Sequence, residues 1–278
     1  MILPPPRNPV LRASSLSKLL AVGLVATDSS TMGMVETLTG ARPSTIVGNY
    51  GTRVGPYGRE LVHNGSANAD GIDYTDAAML RNLRPYPGSH EISISLVYTY
   101  NAWIGSAGMV SRSLDDSFAM DWVVRQTANG GQKAMSVSIG TKQWLLGVFN
   151  FDHDLGRQYV MTFSRGTSNT ALWSWSKTPT QLRYVLDGGG GQALRSPSTE
   201  GSLYLFRALG PAFNDSSPVS LAGVHVWNRS LSPAEHLLLQ RDPWAMYSPS
   251  RIISGATAEA ASAGLPWLST VMSRRASR

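Results

Sequence analysis

A train of short strand-like runs, each closed by a turn cluster, constrains this chain more than any other feature. The clearest run covers residues 92–100, where Ile92, Ile94 and Leu96 alternate with Ser93, Ser95 and Val97. That spacing predicts a strand with one buried face and a less buried one. Further runs cover residues 108–112, 118–126, 134–139, 143–150, 159–164, 170–176, 182–186, 202–207 and 221–228. Between them stand Asn129-Gly130-Gly131 and the Gly/Ser/Asn/Pro-rich stretches 165–169, 188–191 and 214–218. Glycine and asparagine tolerate the positive φ that tight turns need, so these are turns with a mechanism. Asn64-Gly65 is another. One segment alone reads as a convincing helix, and no fixed period recurs, which disfavours a solenoid or propeller. The pattern predicts an all-β fold, a two-sheet antiparallel jelly-roll sandwich with one short C-terminal helix. At 278 residues with 15% charged residues, the chain is long enough to bury a single large core. It has no cysteine, which excludes disulfides and thiolate chemistry.

The helix lies in residues 221–250, LAGVHVWNRSLSPAEHLLLQRDPWAMYSPS. Ser232 offers an oxygen to the free amides of a first turn, Pro233 suits the first helical position, and Glu235 stands three residues after the cap. Pro243 limits the helix to about Arg241. Strand, W-N-R-x-L-S-x-x-E, leucine-rich turn and D-P-W-x-x-Y together resemble the closing segment of concanavalin A-like, laminin-G-like jelly-roll domains. The likeness is greatest to the type found in tailed-phage virion proteins. Residues 58–74, GRELVHNGSANADGIDY, are similar to the opening strands of such domains, and residues 91–100 to a central strand, although Val97-Tyr98 stand where tryptophan is usual. The resemblance implies that Trp227, Leu237, Leu238, Trp244 and Tyr247 pack together to seal one end of the sandwich.

The ends of the chain read differently. Pro4, Pro5 and Pro6 favour an extended polyproline conformation. Residues 19–26 are apolar, but Lys18 interrupts the run and it is far too short to span a bilayer, so a first strand near residues 21–27 is expected. Residues 28–58 read as loop with short strands such as 44–47. The organisation expected is an N-terminal arm with the first strands over 1–54, the jelly-roll domain over 55–250 and a basic Ala/Ser-rich arm over 251–278. The net charge is +6, and Arg251, Arg274, Arg275 and Arg278 against Glu259 place +3 of it in that last arm. No basic helix or Lys/Arg run crosses the middle, so neither direct nucleic-acid readout nor membrane association is expected. Arg251, Arg274, Arg275 and Arg278 are instead candidates for docking on a partner.

The residues bear on four chemistries. A retaining glycosidase needs two carboxyl groups about 5 Å apart, and jelly-roll glucanases carry them as E-x-D-x-E or E-x-D-x-x-E on one strand. That spacing is absent; Asp115, Asp116 and Asp121 flank a strand and Asp152-His153-Asp154 falls in a loop. No G-x-S-x-G elbow accompanies the scattered His63, His90, His153, His225 and His236. His225 should face away from Val224 and Val226, and His236 should lie on the helix surface or rim. No enzymatic activity and no cofactor are expected. Calcium has candidate oxygen ligands in Asp152 and Asp154, and in the spaced Asp70, Asp73 and Asp76, each set short of the six to eight oxygens required. Carbohydrate would stack on Trp103, in a loop, or on Trp173 and Trp175, two residues apart on one strand face; the same spacing also suits a core layer.

Taken with the resemblance, these readings imply a non-enzymatic structural component of a bacteriophage virion, a capsid-decoration or tail/head-fibre protein whose arms dock on neighbouring subunits in a homo-oligomeric or multi-copy assembly. The alternatives are a lectin-like module for host-surface glycans and, third, a glycoside hydrolase.

Overall fold

The structure, a computed structural model, describes residues 11, 14–26, 34–64, 70–83, 91–103, 106–113, 120–129, 132–139, 142–146, 155–166, 170–175, 182–186, 202–207 and 218–247. Along the chain run β1 (Leu20–Val25), β2 (Val35–Glu36), β3 (Thr45–Val47), β4 (Tyr50–Gly55), β5 (Gly58–His63), β6 (Gly71–Tyr74), α1 (Ala77–Asn82), β7 (Ile92–Tyr100), β8 (Ser106–Ser113) and β9 (Met120–Asn129). Then follow β10 (Gln132–Ile139), β11 (Lys142–Leu146), β12 (Gln158–Arg165), β13 (Thr170–Trp175), β14 (Leu182–Leu186), β15 (Leu203–Leu205), β16 (Val219–Trp227) and α2 (Pro233–Arg241). Two antiparallel sheets result. A nine-stranded sheet has the order β14-β13-β12-β7-β16-β1-β2, with β5 also pairing with β16 and carrying β4; a seven-stranded sheet has the order β11-β10-β9-β8-β15-β6-β3. The fold is the all-β, two-sheet sandwich that the strand train predicts.

Alternation decides which side chains meet between the sheets. Ile94 and Leu96 of β7 lie in register with Phe163 and Met161 of β12 and with Val226 and Val224 of β16, so one apolar row crosses three strands. This row joins Ile72 and Tyr74 of β6, Trp122 and Val124 of β9, Val137 of β10 and Leu205 of β15 in the main core. Trp173 belongs there too, fully buried and edge-on to Phe163 at 4.9 Å.

The outer face of β7 is not the wet one its serines suggest. Every position of the strand is buried, because a second apolar cluster lies on this side of the nine-stranded sheet. Ser93 bonds Ser164 at 2.6 Å and Ser95 bonds Thr162 at 3.0 Å, so hydroxyls pair across strands instead of meeting water. The cover is the closing segment. Ser232 and Glu235 form the reciprocal capping box, with Pro233 in the first turn. Beyond the helix, Trp244 and Tyr247 settle on two bare strand positions. A Cβ at Gly223 would stand 2.8 Å from the Trp244 ring, and one at Gly23 would stand 2.5 Å from the Tyr247 hydroxyl.

The packed set differs in part from the expected one. Trp227, Trp244 and Tyr247 are in the second cluster, but α2 presents His236, Leu239 and Gln240 to the sheet, and Leu238 is 40% exposed. The reason is polar. His236 sits between Ser164, 2.7 Å from Nε2, and Ser174, 2.9 Å from Nδ1, so the helix turns to satisfy the hydroxyl row below it. His236 is thus buried, not on the rim. His225 faces away from Val224 and Val226 as expected, its Nε2 3.1 Å from the Tyr247 hydroxyl.

Residues that precede β1 reach the closing segment as well. Leu16, in a 3₁₀ turn (Ser15–Ser17), is buried under the closing segment, and its carbonyl accepts from the Trp227 indole at 2.6 Å. Leu11 bridges to Tyr247. The second helix, α1, is capped by Asp76, whose carboxylate accepts from the Met79 amide at 2.8 Å, while Met79 and Leu80 reach the core.

Candidate functional site

Four strands of the nine-stranded sheet finish at one end of the sandwich. Tyr50 pairs with His63, Ser220 with Val62, and Val219 with Tyr100. The chain leaves β7 there through Asn101, Ala102 and Trp103. From the opposing sheet arrive Asp70, which precedes β6, and Phe206 and Arg207, which follow β15. The two faces of this end carry different chemistry.

On the outer face, buried Glu60 organises a polar net. Its carboxylate accepts from Arg53 Nε at 2.9 Å, from Thr99 Oγ1 at 2.7 Å and from Gln158 Nε2 at 2.8 Å. Arg53, with a side chain 41% exposed, reaches on to Asn101 Oδ1 at 2.9 Å. The amide of Asn101 donates in turn to Ser220 Oγ at 2.9 Å. Both ends of the Asn101 side chain are therefore fixed, and this anchors the loop that carries Trp103. One side of Trp103 packs on the main core and the rest faces outward, half-buried. An indole on an anchored loop, half-buried, has the form of an aromatic platform on which a sugar ring can stack.

On the inner face, three rings gather. Tyr50 and His63 have centroids 5.2 Å apart, Tyr50 and Phe206 5.3 Å, and His63 and Phe206 5.8 Å. His63 Nε2 lies 2.9 Å from Asp70 Oδ2. The approach depends on Gly48, whose φ is +108° and at which a Cβ would come 2.8 Å from Asp70 Oδ1. Phe206 also has a positive φ, 62°, strain that holds its ring over the pair. His63 Nδ1 and the Tyr50 hydroxyl are buried without a hydrogen-bond partner. Burial raises the Tyr50 phenol well above its ordinary range, with Asp70 and Asp73 adding to the shift and Arg207 opposing it, so this hydroxyl stays protonated. Burial likewise raises Asp73, against Arg207.

A His–Asp pair has the composition of a general-base dyad, and the sequence did not reveal it. Seven residues separate the partners, a spacing that no strand or helix period would join. The free nitrogen is enclosed between rings, and no hydroxyl or thiol is placed on it among the described residues.

The other expected site residues fall elsewhere. Trp173 fills the core and offers no stacking face, which settles its spacing with Trp175 in favour of the core layer at that residue; Trp175 pairs in register with Met161, and its side chain lies outside the described residues. Asp70, Asp73 and Asp76 do not converge: Asp70 serves His63, Asp73 lies on β6 and Asp76 caps α1. Among the described residues no three His, Asp or Glu side chains are grouped to hold a metal ion. Asp152 and Asp154, together with Asp115, Asp116, His90 and His153, lie outside the described residues, as do Arg251, Arg274, Arg275 and Arg278. Asp121 is buried on β9. No helix among the described residues is long and apolar enough to cross a membrane.

No family model matches the chain, and a comparison with curated proteins finds no match. Solved structures do match in fold. Domain 4 of AbnA, a GH43 extracellular arabinanase from Geobacillus stearothermophilus solved with arabinotriose, superposes with a TM-score of 0.56 at 12% identity, over 80% of this chain and 98% of that one. The binding domain of Paraclostridial Mosquitocidal Protein 1 gives 0.56 at 9% identity, over 81% of this chain and 52% of that one. A Trypanosoma rangeli sialidase in complex with sialic acid gives 0.53 at 14% identity, over 84% of this chain and 35% of that one. The chain thus spans nearly all of the arabinanase domain but about half or less of the other two. At these identities the likeness is one of fold, a jelly-roll sandwich.

Proposed function

We propose that this chain is a carbohydrate-binding module without enzymatic activity, which takes glycans at the sandwich end formed by β4, β5, β7 and β16. The observation that carries the reading is Trp103, a half-buried indole on a loop pinned by Asn101 between Arg53 and Ser220. The fold likeness to an arabinanase domain solved with arabinotriose supports it, since nearly all of that domain is matched. Among the described carboxylates at this end, Glu60 is engaged by Arg53, Thr99 and Gln158 and Asp70 by His63, which supports a binding role.

A glycan array followed by calorimetry on the strongest hits tests the proposal. The parent should bind a saccharide, and Trp103→Ala should weaken binding by about tenfold or more, the value of one aromatic stacking contact in a partly desolvated site. A parent that binds no glycan, or a variant that binds unchanged, defeats the reading. Release of reducing ends from polysaccharides would overturn the non-enzymatic part.

The closing segment favours a second, compatible reading. Its strand, capped helix and D-P-W-x-x-Y clamp are the residues on which the phage virion resemblance rests, and they cover one face of the nine-stranded sheet. In that setting the module sits on a bacteriophage particle, as capsid decoration or in the tail or head-fibre apparatus, and Arg251, Arg274, Arg275 and Arg278 dock residues 251–278 on neighbouring subunits. Deleting residues 251–278 should then abolish incorporation into particles; retained incorporation would refute it.

A further inference from the structure

We infer that the pocket of side chains formed by Tyr50, His63 and Phe206 is a seat for one hydroxyl group of a neutral saccharide, a subsite that deepens the carbohydrate-binding reading and rests on it. The inference starts from two orphaned polar atoms in one ring cluster, His63 Nδ1 and Tyr50 Oη, both buried and both without a partner. His63 itself is only 8% exposed.

Their roles are set by what surrounds them. Asp70 lies 2.9 Å from His63 Nε2, and a carboxylate only accepts, so in the neutral ring the proton sits on Nε2 and Nδ1 is left as the acceptor. The Tyr50 phenol keeps its proton and donates. The group that fits must donate to Nδ1 and accept from Oη, which is what an alcohol does. A carboxylate fails at Nδ1, having no proton to give, and a carboxylate or phosphate alike meets Asp70 and Asp73. An ammonium has no lone pair for Oη and meets the Arg207 guanidinium.

Two sources supply such a group, a sugar and a water molecule, and the surroundings favour the sugar. Buried waters are held by two to four polar partners, typically three. The described side chains supply two such atoms here, and beside them stand only the rings of Tyr50, His63 and Phe206, with centroids 5.2 to 5.8 Å apart. Carbon-bound hydrogens of a pyranose or furanose match those rings, and its hydroxyl matches the two polar atoms. Tyr50 is half-buried on β4, which pairs with β5 alone among the described strands.

The decisive variant is Tyr50→Phe, which keeps the ring and removes the donor. Free of ligand, it should be at least as stable as the parent, because a buried hydroxyl without a partner is gone. Its affinity for the saccharide selected on the array should fall about tenfold, the loss of one net hydrogen bond. Nitrogen-15 spectra of the imidazoles supply a second readout: His63 Nδ1 should change from a free to a hydrogen-bonded acceptor when that saccharide is added. Unchanged affinity of Tyr50→Phe, or an unaltered Nδ1 signal at saturation, overturns the seat. If Trp103→Ala loses binding while Tyr50→Phe retains it, only the subsite fails and the carbohydrate-binding reading stands. If the parent binds no saccharide, both fail. A Nδ1 signal already hydrogen-bonded in ligand-free protein and unmoved by sugar identifies the occupant as water and also overturns the proposal.

Discussion

At the scale of single residues, two buried histidines make the fold sensitive to acid. Burial lowers His225 to about 3, and burial lowers His236 to about 3 against a smaller opposing pull from Glu235. In the unfolded chain each titrates near 6.5, so below that pH the unfolded state binds protons that the native state refuses. Stability contributed by the neutral rings is complete above about 6.5 and falls with pH towards 3. For each histidine the loss at pH 5 is about 2 kcal/mol. Glu235 acts only lower down: burial raises it, but bonds from Arg229 and Ser232 outweigh that and hold it at about 2, so its contribution fades below its ordinary 4.5. Asp73, raised by burial, works in the opposite direction. Comparison of the parent with His236→Gln over the same pH interval isolates the share of that histidine. Urea unfolding at pH 7.5 and pH 5 should show the midpoint fall, and His236→Gln should reduce that fall by about half; a midpoint flat between these values would contradict the burial. Glycine makes a second residue-scale prediction. Gly223→Ala drives a methyl group against the Trp244 ring and should destabilise by about 1–3 kcal/mol, the usual cost of overpacking, whereas Gly40→Ala meets no atom within 4 Å and differs only through its φ of +76°. Thermal melts of the two variants would separate steric from backbone cost.

At the scale of elements, the closing helix shows what sequence periodicity can and cannot settle. Ser232, Pro233, Glu235 and Pro243 carry the local chemistry of helix start and stop, and α2 begins and ends where those residues direct. Its rotation about its own axis depends on the sheet below. Three consecutive leucines give no preferred face, and the choice falls to His236, which Ser164 and Ser174 hold from beneath. The contrast is measurable. Leu239→Ala should cost about 2–5 kcal/mol as a core truncation, and Leu238→Ala about 0.5 kcal/mol or less as a surface one. Equal losses would mean that the helix sits in another rotation. The same limit explains why β7 is buried on both faces despite its serines: alternation marks two faces but not what lies on each. It also explains the missed helix α1, whose one clear signal was Asp76 as a cap, read instead with Asp70 and Asp73 as a spaced acidic set. The strands themselves were legible because turn residues punctuate them. The His63–Asp70 pair was not, because β5 and β6 enter different sheets and only the completed sandwich brings them together.

At the scale of the whole molecule, the nine-stranded sheet ties together residues from opposite ends of the chain. β1 lies between β16 and β2, and the second core needs Leu16 from one end and Trp227, Leu239 and Trp244 from the other. Such contacts close late, since loop-closure entropy must be offset before distant pairs contribute, and mixed long-range β topologies fold in milliseconds to seconds. Residues 14–19 are therefore part of the sandwich. Removing residues 1–19 while leaving β1 intact tests this. The cut exposes the face that Leu16 covers, worth about 1.5–3 kcal/mol for a buried leucine, and leaves the Trp227 indole without its 2.6 Å acceptor, a further 1–3 kcal/mol for an orphaned buried donor. Arg229 loses two more acceptors, the carbonyls of Lys18 at 3.0 Å and Ser15 at 2.7 Å. The sum is a large fraction of the stability of an ordinary domain. The truncated chain should melt well below the parent and expose Trp227 to collisional quenchers of fluorescence. If it melts with the parent and its tryptophans stay shielded, the second core does not depend on residues 1–19, and the sandwich closes without them.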